Sequence, residues 1–574
     1  MSHSIVRRQP LSDTGVFPDA LHPVLKRVYA ARSLSSASDL DASLDKLHSP
    51  ELLGGLAEAT VLLEQAAREQ QRILVVGDFD ADGATSSALS LRALRMMGFA
   101  SVDYLVPNRF DYGYGLTPEI VAVADSHKPD LILTVDNGIS SHEGVKAAHE
   151  RGIRVLITDH HLPGDHLPDA DAIVNPNLPG DSFPSKNLAG VGVAFYLMLA
   201  LRSRLREHRW FADQGISEPN LAGLLDLVAL GTVADVVPLD HNNRILVEQG
   251  LRRIRAGRCC TGILALLDIT GRNHRRVVAS DMGFAVAPRL NAAGRLDDMS
   301  LGIECLITDD PDKARQIAVQ LDTLNQDRKE IEADMQSRAM IVIEKLHLEE
   351  SRLPTGLCLF DNDWHQGVIG ILASRIKERY HRPVIAFAPA SDSGELKGSA
   401  RSVPGLHIRD TLDAVATRHP GLITRFGGHA MAAGLSLPRD HFEVFRSGFD
   451  QEVRRHLSEN DLQGIINSDG ELDREDLTLE VAQLLRNAGP WGQGFPEPLF
   501  DGEFRLIQHR VVGGRHVKLT LRPLDGGSSI DGIAFNAEPP PDSCRRLRLA
   551  YRLDVNEYRG IQSPQLIIEH YDAL

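Results

Sequence analysis

ILVVGDFDAD (73–82), LILTVD (131–136) and RVLITDHH (154–161) each carry an apolar run straight into acids, and the last closes on a His-His pair. Such runs, bounded by turn residues and separated by helix-length stretches, predict buried strands of a parallel α/β sheet. Right-handed crossovers bring the carboxyl ends of parallel strands to one edge, where ligands bind. Asp78, Asp80, Asp82, Asp136, Asp159, His160 and His161 are therefore expected to converge. Carboxylates crowded into one crevice repel one another unless cations lie between them, so the pattern points to divalent metal. Acids at strand ends more commonly form turns or cap the next helix. That accounts for any one of these acids but not for three clusters together, and capping by Asp82, Thr85 and Ser86 is compatible with metal binding.

The 574 residues, 43% hydrophobic and 24% charged, suffice for three or four globular domains. The longest apolar stretch, at 191–201, is too short to span a bilayer, and the start MSHSIVRRQPLSD lacks the apolar core of a signal peptide. The expectation is a cytoplasmic protein with no membrane association. Cys259, Cys260, Cys305, Cys358 and Cys544 form no C-x-x-C pair and are expected to be reduced and structural. A net charge of −16 weighs against a nucleic-acid partner, but it averages over locally basic stretches such as LRRIRAGR (251–258) and GRNHRRVV (271–278). A solvated basic face is the commoner meaning of such runs.

Along the chain, residues 1–50 offer no motif and read as a lead-in packed on the first domain. Residues 51–309 alternate strand and helix as a doubly wound α/β domain does. The stretch 310–347 has no glycine and one proline near its start, which predicts a single connector helix on the order of 50 Å long. A second α/β region follows at 348–460, with strands at 356–360 and 383–388 and a helix over 368–380. After WGQGFPEP (491–498), the segments HVKLTLRP, LRLAYRLDV and PQLIIEHYD alternate with period two, so 461–574 is expected to close as a small barrel of the OB type.

DFDADG, VDNG and DHH together resemble the DHH phosphoesterase superfamily. LVALGTVADVVPL (227–239), PRLNAAGRL (288–296), WHQGVIGILASRI (364–376), GSARS (398–402) and FGGHAMAAGL (426–435) are similar to its RecJ subgroup, bacterial exonucleases specific for single-stranded DNA. The resemblance implies a DHH parallel-sheet catalytic domain, a DHH-associated α/β domain across a cleft, and a C-terminal OB-like domain. It also implies degradation of single-stranded DNA from the 5′ end to 5′-mononucleotides with Mn²⁺ or Mg²⁺. Repair and recombination, with single-strand-binding protein and a helicase as partners of a monomeric enzyme, are expectations of the same kind.

Phosphodiester hydrolysis needs an activated water, neutralised non-bridging oxygens and support for the leaving oxygen, which two metal ions supply together. By motif matching, Asp80 and Asp136 would hold one ion, and Asp82, Asp136, His160 and Asp235 the other, with Asp136 bridging. Carboxylates suit Mg²⁺ and Mn²⁺, and the imidazole tilts the site toward Mn²⁺. His161 is expected to orient its neighbours or meet a phosphate oxygen. Several superfamily members carry histidine where this chain has Val76, a gap that Asp78 or water would fill.

In the second region Arg375, Ser399, Arg401 and His429 are expected to bind substrate phosphate, since glycines admit an anion to the backbone and Arg and His can donate to it. Arg289, together with Arg109 and Tyr114 in NRFDYGYGL (108–116), are candidates for the strand and its 5′ end. Two other readings compete. A superfamily enzyme acting on short oligonucleotides or cyclic dinucleotides would not need a β-rich terminal domain. A binding protein that has lost the chemistry would not need Asp80, Asp82, Asp136, His160 and Asp235 intact.

Overall fold

The strands Ile73–Gly77 and Leu131–Val135 are buried along their whole length, which requires helices on both faces. In the computed structural model, which describes all residues except 1–3, 33, 107–114, 351–352, 391–393 and 459, they are neighbours in a five-stranded sheet. Its order is Val102–Leu105, Ile73–Gly77, Leu131–Val135, Arg154–Thr158, Ala172–Val174, and every pairing is parallel. Alternation along the strands divides the packing. Leu74, Val76, Ile132 and Ile157 face the helices Pro118–Ala124 and His142–His149. Ile73, Val75, Leu131 and Leu133 join the larger core with Ala81–Met96 and Gly190–Glu207.

Because the second strand in the chain lies outside the first, the direction of winding reverses between Ile73–Gly77 and Leu131–Val135. In doubly wound sheets a crevice opens at that reversal, beyond the carboxyl ends of the strands. The acids at 78–82 and 136 follow the two strands that flank it.

The chain divides into two units. One comprises Arg7–Leu324 and Ser468–Leu574, the other Asn325–Asn467 with the residues up to Val6. In the first, the C-terminal strands close a barrel in the order Phe500–Val512, His516–Pro523, Ile530–Ala534, Ile561–Ala573, Arg546–Tyr558. Val517, Leu519 and Leu521 point into it, between outward Lys518 and Thr520. The N-terminal arm reaches this C-terminal segment. Arg32 makes a bidentate pair with Asp469 at 2.8 and 2.9 Å, Arg7 holds Asp501 at 2.8 Å, and Tyr29 packs on Trp491 and Phe495.

The second unit has a mixed five-stranded sheet, ordered Arg425–Gly428, Ala432–Pro438, Glu395–Arg401, Val384–Pro389, Leu357–Phe360, in which only the last pair is parallel. The helices Ile369–Tyr380, Ile408–Arg418 and Phe442–His456 belong to it. A helix of 40 residues, Pro311–Glu350, belongs to the first unit up to Leu324 and to the second from Asn325 on. Proline sits at its start, where the missing N–H costs nothing. Among the described residues no helix is long and apolar enough to cross a membrane.

Candidate metal centre

The loop after Ile73–Gly77 turns at once into the helix Ala81–Met96. Asp80 is its N-cap, accepting from the N–H groups of Asp82 and Gly83 at 2.9 and 3.0 Å. The cap is thus Asp80 rather than the expected Asp82, Thr85 or Ser86, because only the residue before the first turn has a side chain that reaches the orphan donors. Asp82 is left to turn inward. Its carboxylate accepts from the backbone N–H of Gly190 at 2.6 Å and Val191 at 3.0 Å, the first donors of the helix Gly190–Glu207.

Asp136 follows the second flanking strand in a left-handed conformation, φ 62°, an uncommon state that Asp tolerates better than most residues. The next residue stabilises this corner, since Asn137 Nδ2 donates to the carbonyls of Val76 and Val135 at 3.1 and 2.9 Å and so joins the two strand ends. After the third strand, buried Asp159 accepts from Ile139 N–H and from the N–H groups of His160 and His161. It also binds His161 Nδ1 at 2.7 Å. Asn177 and Asn175 hold the carbonyls of His160 and His161 from behind.

These loops bring the side chains together. Nε2 of His160 lies 3.1 Å from Asp136 Oδ1 and 3.5 Å from Asp235 Oδ2. Three overlapping sets, Asp82–His160–Asp235, Asp78–Asp80–Asp136 and Asp136–His160–His161, have ligand atoms within 4.8 Å of one another. Asp235 arrives at the end of the helix Leu225–Ala234, and Val236 after it is held at φ 60°, a strained state for a β-branched residue. The set around Asp80 includes Asp78 beside the position of Val76.

Three features were not legible as site residues in the motifs. A Cβ on Gly190 would sit 2.5 Å from Asp136 Cβ, and one on Gly231 would sit 2.2 Å from Thr85 Oγ1 and 2.8 Å from Asp82 Oδ1. Asn291 Oδ1 accepts from Ala81 N–H at 2.8 Å, so the helix Ala287–Leu296 braces the acidic loop. The glycines inside apolar stretches, LAGVG at the start of the helix Gly190–Glu207 and ALG in the last half of Leu225–Ala234, are the signal that marks such close approaches.

Burial pushes Asp82 up to about 7, with Asp80 adding to the rise against the opposing N–H donors of Val191 and Gly190. Burial and then the neighbouring carboxylates push Asp136 and Asp235 well above the usual range. Burial works in the same direction on Asp159, but the hydrogen bonds from His161 and the backbone outweigh it and bring the carboxyl below its ordinary value. Burial disfavours charge on His161, whereas Asp159 raises its pKa overall. Oxygen donors with one or two imidazoles are a set suited to Mn²⁺ or Mg²⁺.

The remaining candidates lie elsewhere. Arg289 pairs with Asp322 at 2.6 Å and donates to Ala285 O. In the second unit Arg401 donates to Ser399 Oγ at 3.1 Å and to Ala400 O at 2.8 Å, and burial lowers its pKa. Among the described residues no carboxylate pairs with it. A Cβ on Gly370, in the first turn of Ile369–Tyr380, would lie 3.0 Å from both Arg401 Nη2 and Ser399 Oγ. Arg401 is opposite Ala432 in the sheet, and Ala432 O accepts from His429 N–H, so these residues share one end of it. Arg375, on the same helix as Gly370, pairs with Glu332 at 3.0 Å. Arg109 and Tyr114 lie outside the described residues.

Known families match in the same order. Residues 72–232 match the model of the DHH family N-terminal domain, 353–455 the DHHA1 domain and 468–570 the RecJ OB domain. The chain is 59% identical to the single-stranded-DNA-specific exonuclease RecJ of Dickeya dadantii and 57% identical to that of Escherichia coli, in each case over 98% of both chains. The crystal structure of RecJ from Thermus thermophilus in complex with Mn²⁺ superposes with a TM-score of 0.81 at 31% identity, covering 100% of this chain and 79% of the other. Its Mg²⁺ complex gives 0.75 at 29% identity. Identity at this level along the entire length, with the acids of all three strand ends in place, makes the chain a member of the RecJ family.

Proposed function

We propose that the protein is a single-stranded-DNA-specific exonuclease that hydrolyses phosphodiester bonds with two Mn²⁺ or Mg²⁺ ions, in DNA repair and recombination. The observation that carries this reading is the set of buried, mutually repelling carboxylates around His160 at the reversal of the sheet. Relatives named for this activity, and solved relatives holding Mn²⁺ and Mg²⁺, support it. When bound, the cations supply an activated water, charge neutralisation and support for the leaving oxygen.

In this reading Asp78, Asp80 and Asp136 would hold one ion and Asp82, Asp136, His160 and Asp235 the other, with Asp136 common to both sets. The Gly190 and Val191 N–H groups aim Asp82. Asp159 fixes the ring of His161 through Nδ1, leaving Nε2 to donate to a phosphate oxygen. Arg401, half-buried and with no carboxylate partner among the described residues, supplies with Ser399 and His429 the donors for a substrate phosphate, because a partly desolvated guanidinium favours an anion opposite it. Arg375 and Arg289 are weaker members of this group, their charges being shared with Glu332 and Asp322. The barrel follows the single strand, and the enzyme works from the 5′ end and releases 5′-mononucleotides. It acts in the cytoplasm as a monomer, with single-strand-binding protein and a helicase as partners.

Digestion of 5′- and 3′-labelled single strands and matched blunt duplexes with each divalent metal tests the reading. Early release of the 5′ label as a mononucleotide, from single strands only, is expected. Digestion confined to di- to tetranucleotides or cyclic dinucleotides would place the chain with the short-substrate enzymes instead.

A further inference from the structure

A cavity of about 350 Å³ lies in the first unit beside the segment that carries Asp235, within the range of small-ligand sites, about 300–1,000 Å³. One wall is the segment Thr232 to Val237, which contains Asp235 and is lined on the cavity side by Val233, Val236 and Val237. The strained turn at Val236 explains the arrangement. With φ at 60° the chain reverses so that Asp235 faces His160 while Val236, 62% exposed, faces outward.

The opposite walls carry two aromatic rings. Phe284 is 85% exposed, the most exposed large apolar side chain among those described. It sits in a single π-helical turn, Met282–Val286, inserted before the helix Ala287–Leu296. Such turns recur at functional sites because the extra residue re-aims the side chains around it. Trp491 is half-buried and held in place, stacked on Phe495 at 5.0 Å with its Nε1–H donated to Leu485 O. Arg255 and Arg486 stand on the rim. Arg486 makes no ion pair among the described residues, and the carboxylate of Glu497, also on the rim, is taken by Arg552 at 2.7 Å.

We infer that this cavity is a nucleobase site, in which an unpaired base of the strand lies against Phe284 while Arg486 meets the adjoining backbone phosphate. The inference rests on the proposed action on single-stranded DNA. Three features favour a base over an apolar segment of a partner protein. The cavity wall includes Val236, the chain neighbour of Asp235, so an extended strand held at the metal centre passes within a few nucleotides of it. The cavity offers the exposed flat ring of Phe284, which every base can stack on. Arg486 adds a cation that makes no ion pair among the described residues, Arg255 being shared with Glu248 at 3.4 Å, and it matches the phosphate that each base brings with it. Stacking of this kind discriminates against a missing base and not among the bases, so no sequence preference arises from it.

The test measures KM for Mn²⁺-dependent degradation of a dT oligonucleotide and of a series carrying one abasic residue at successive positions. The unaltered protein should show one position, close to the end being cut, at which the abasic residue raises KM. Phe284→Ala should raise KM for the intact strand by about 5- to 20-fold and abolish the response at that position, and Phe284→Trp should restore both. A merely structural loss would raise KM at all positions alike and leave the positional response in place. A flat abasic series in the unaltered protein, or a Phe284→Ala protein with the unaltered KM, overturns the base site. The latter result would leave the cavity to a partner's apolar segment. An unaltered protein that takes up Mn²⁺ and does not shorten the strand overturns the exonuclease reading itself, a different result from either.

Discussion

Nε2 of His160 stands 3.1 Å from Oδ1 of Asp136, joining the ends of two strands that are adjacent in the sheet and separate in the chain. The contact couples the His-His motif to the carboxylate that belongs to two of the three ligand sets. Consequences follow for activity and for stability, with opposite signs.

Asp136→Asn should reduce hydrolysis by a factor on the order of a thousand or more, because in the proposed reading one side chain would serve both ions. It should also raise the melting temperature of the metal-free protein, since burial and the carboxylates of Asp82, Asp80, Asp235 and Asp78 oppose its charge and Asn tolerates the left-handed backbone. Rates on a labelled single strand and thermal melts in chelator check the two halves. A metal-free Asp136→Asn protein that melts below the parent would contradict the account of repulsion.

Metal addition should do what the substitution does. Mn²⁺ or Mg²⁺ at a hundredfold excess over its Kd stabilises by about 2.7 kcal/mol, so melts of the parent should move upward with metal and return with chelator. The shift should shrink in Asp136→Asn, which has lost the shared ligand.

Gly190→Ala should act at the same place without removing any ligand. Its Cβ would fall 2.5 Å from Asp136 Cβ and 2.7 Å from Oδ1, so either the helix Gly190–Glu207 or Asp136 must shift, at a cost of about 1–3 kcal/mol. Elemental analysis should show reduced metal, together with a large loss of turnover. Full metal content with parental rates would mean that the helix moves instead of the carboxylate.

Arg401→Met should keep the metal and the fold, because the half-buried guanidinium has no carboxylate partner among the described residues to strand. KM for single strands should rise by about tenfold or more, the worth of a charge-assisted contact to phosphate. Steady-state kinetics with parallel metal analysis separates this from damage to the metal centre.

Away from the site, Glu64 anchors Arg68, Arg204 and His208. Burial works to raise its pKa, but the hydrogen bonds from His208, Arg68 and Arg204 outweigh this and bring the carboxyl down to about 2 from 4.5. A depressed carboxyl contributes stability that is present above the unfolded value and lost as pH falls through the folded one. Glu64→Ala should therefore destabilise by about 1–2 kcal/mol near neutrality, discounted for half-exposed partners. The gap between variant and parent in denaturant melts should narrow as pH falls from 4.5 toward 2, and a gap that is constant with pH would disprove the linkage.

What the sequence by itself determined is the chemistry at the strand ends. The apolar runs at 73–76 and 131–135 announce buried parallel strands, and their following acids, with DHH at 159–161, announce a metal crevice, because periodicity and charge are local properties. The glycine-free stretch after Pro311 likewise announces its helix, and the alternating segments after 498 announce the barrel strands. Only the tertiary structure decided that Val102–Leu105 lies outside the first strand, which sets the crevice between 78–82 and 136. Only there do backbone N–H groups of Gly190 and Val191 meet Asp82, does Asp78 join Asp80 and Asp136, and do Phe284 and Trp491 face one cavity with Val236. The physical reason is that a backbone donor has no signature of its own in the sequence. Contacts between residues a hundred or more positions apart are fixed by how the helices pack on the sheet, not by the local pattern that makes each helix and strand form.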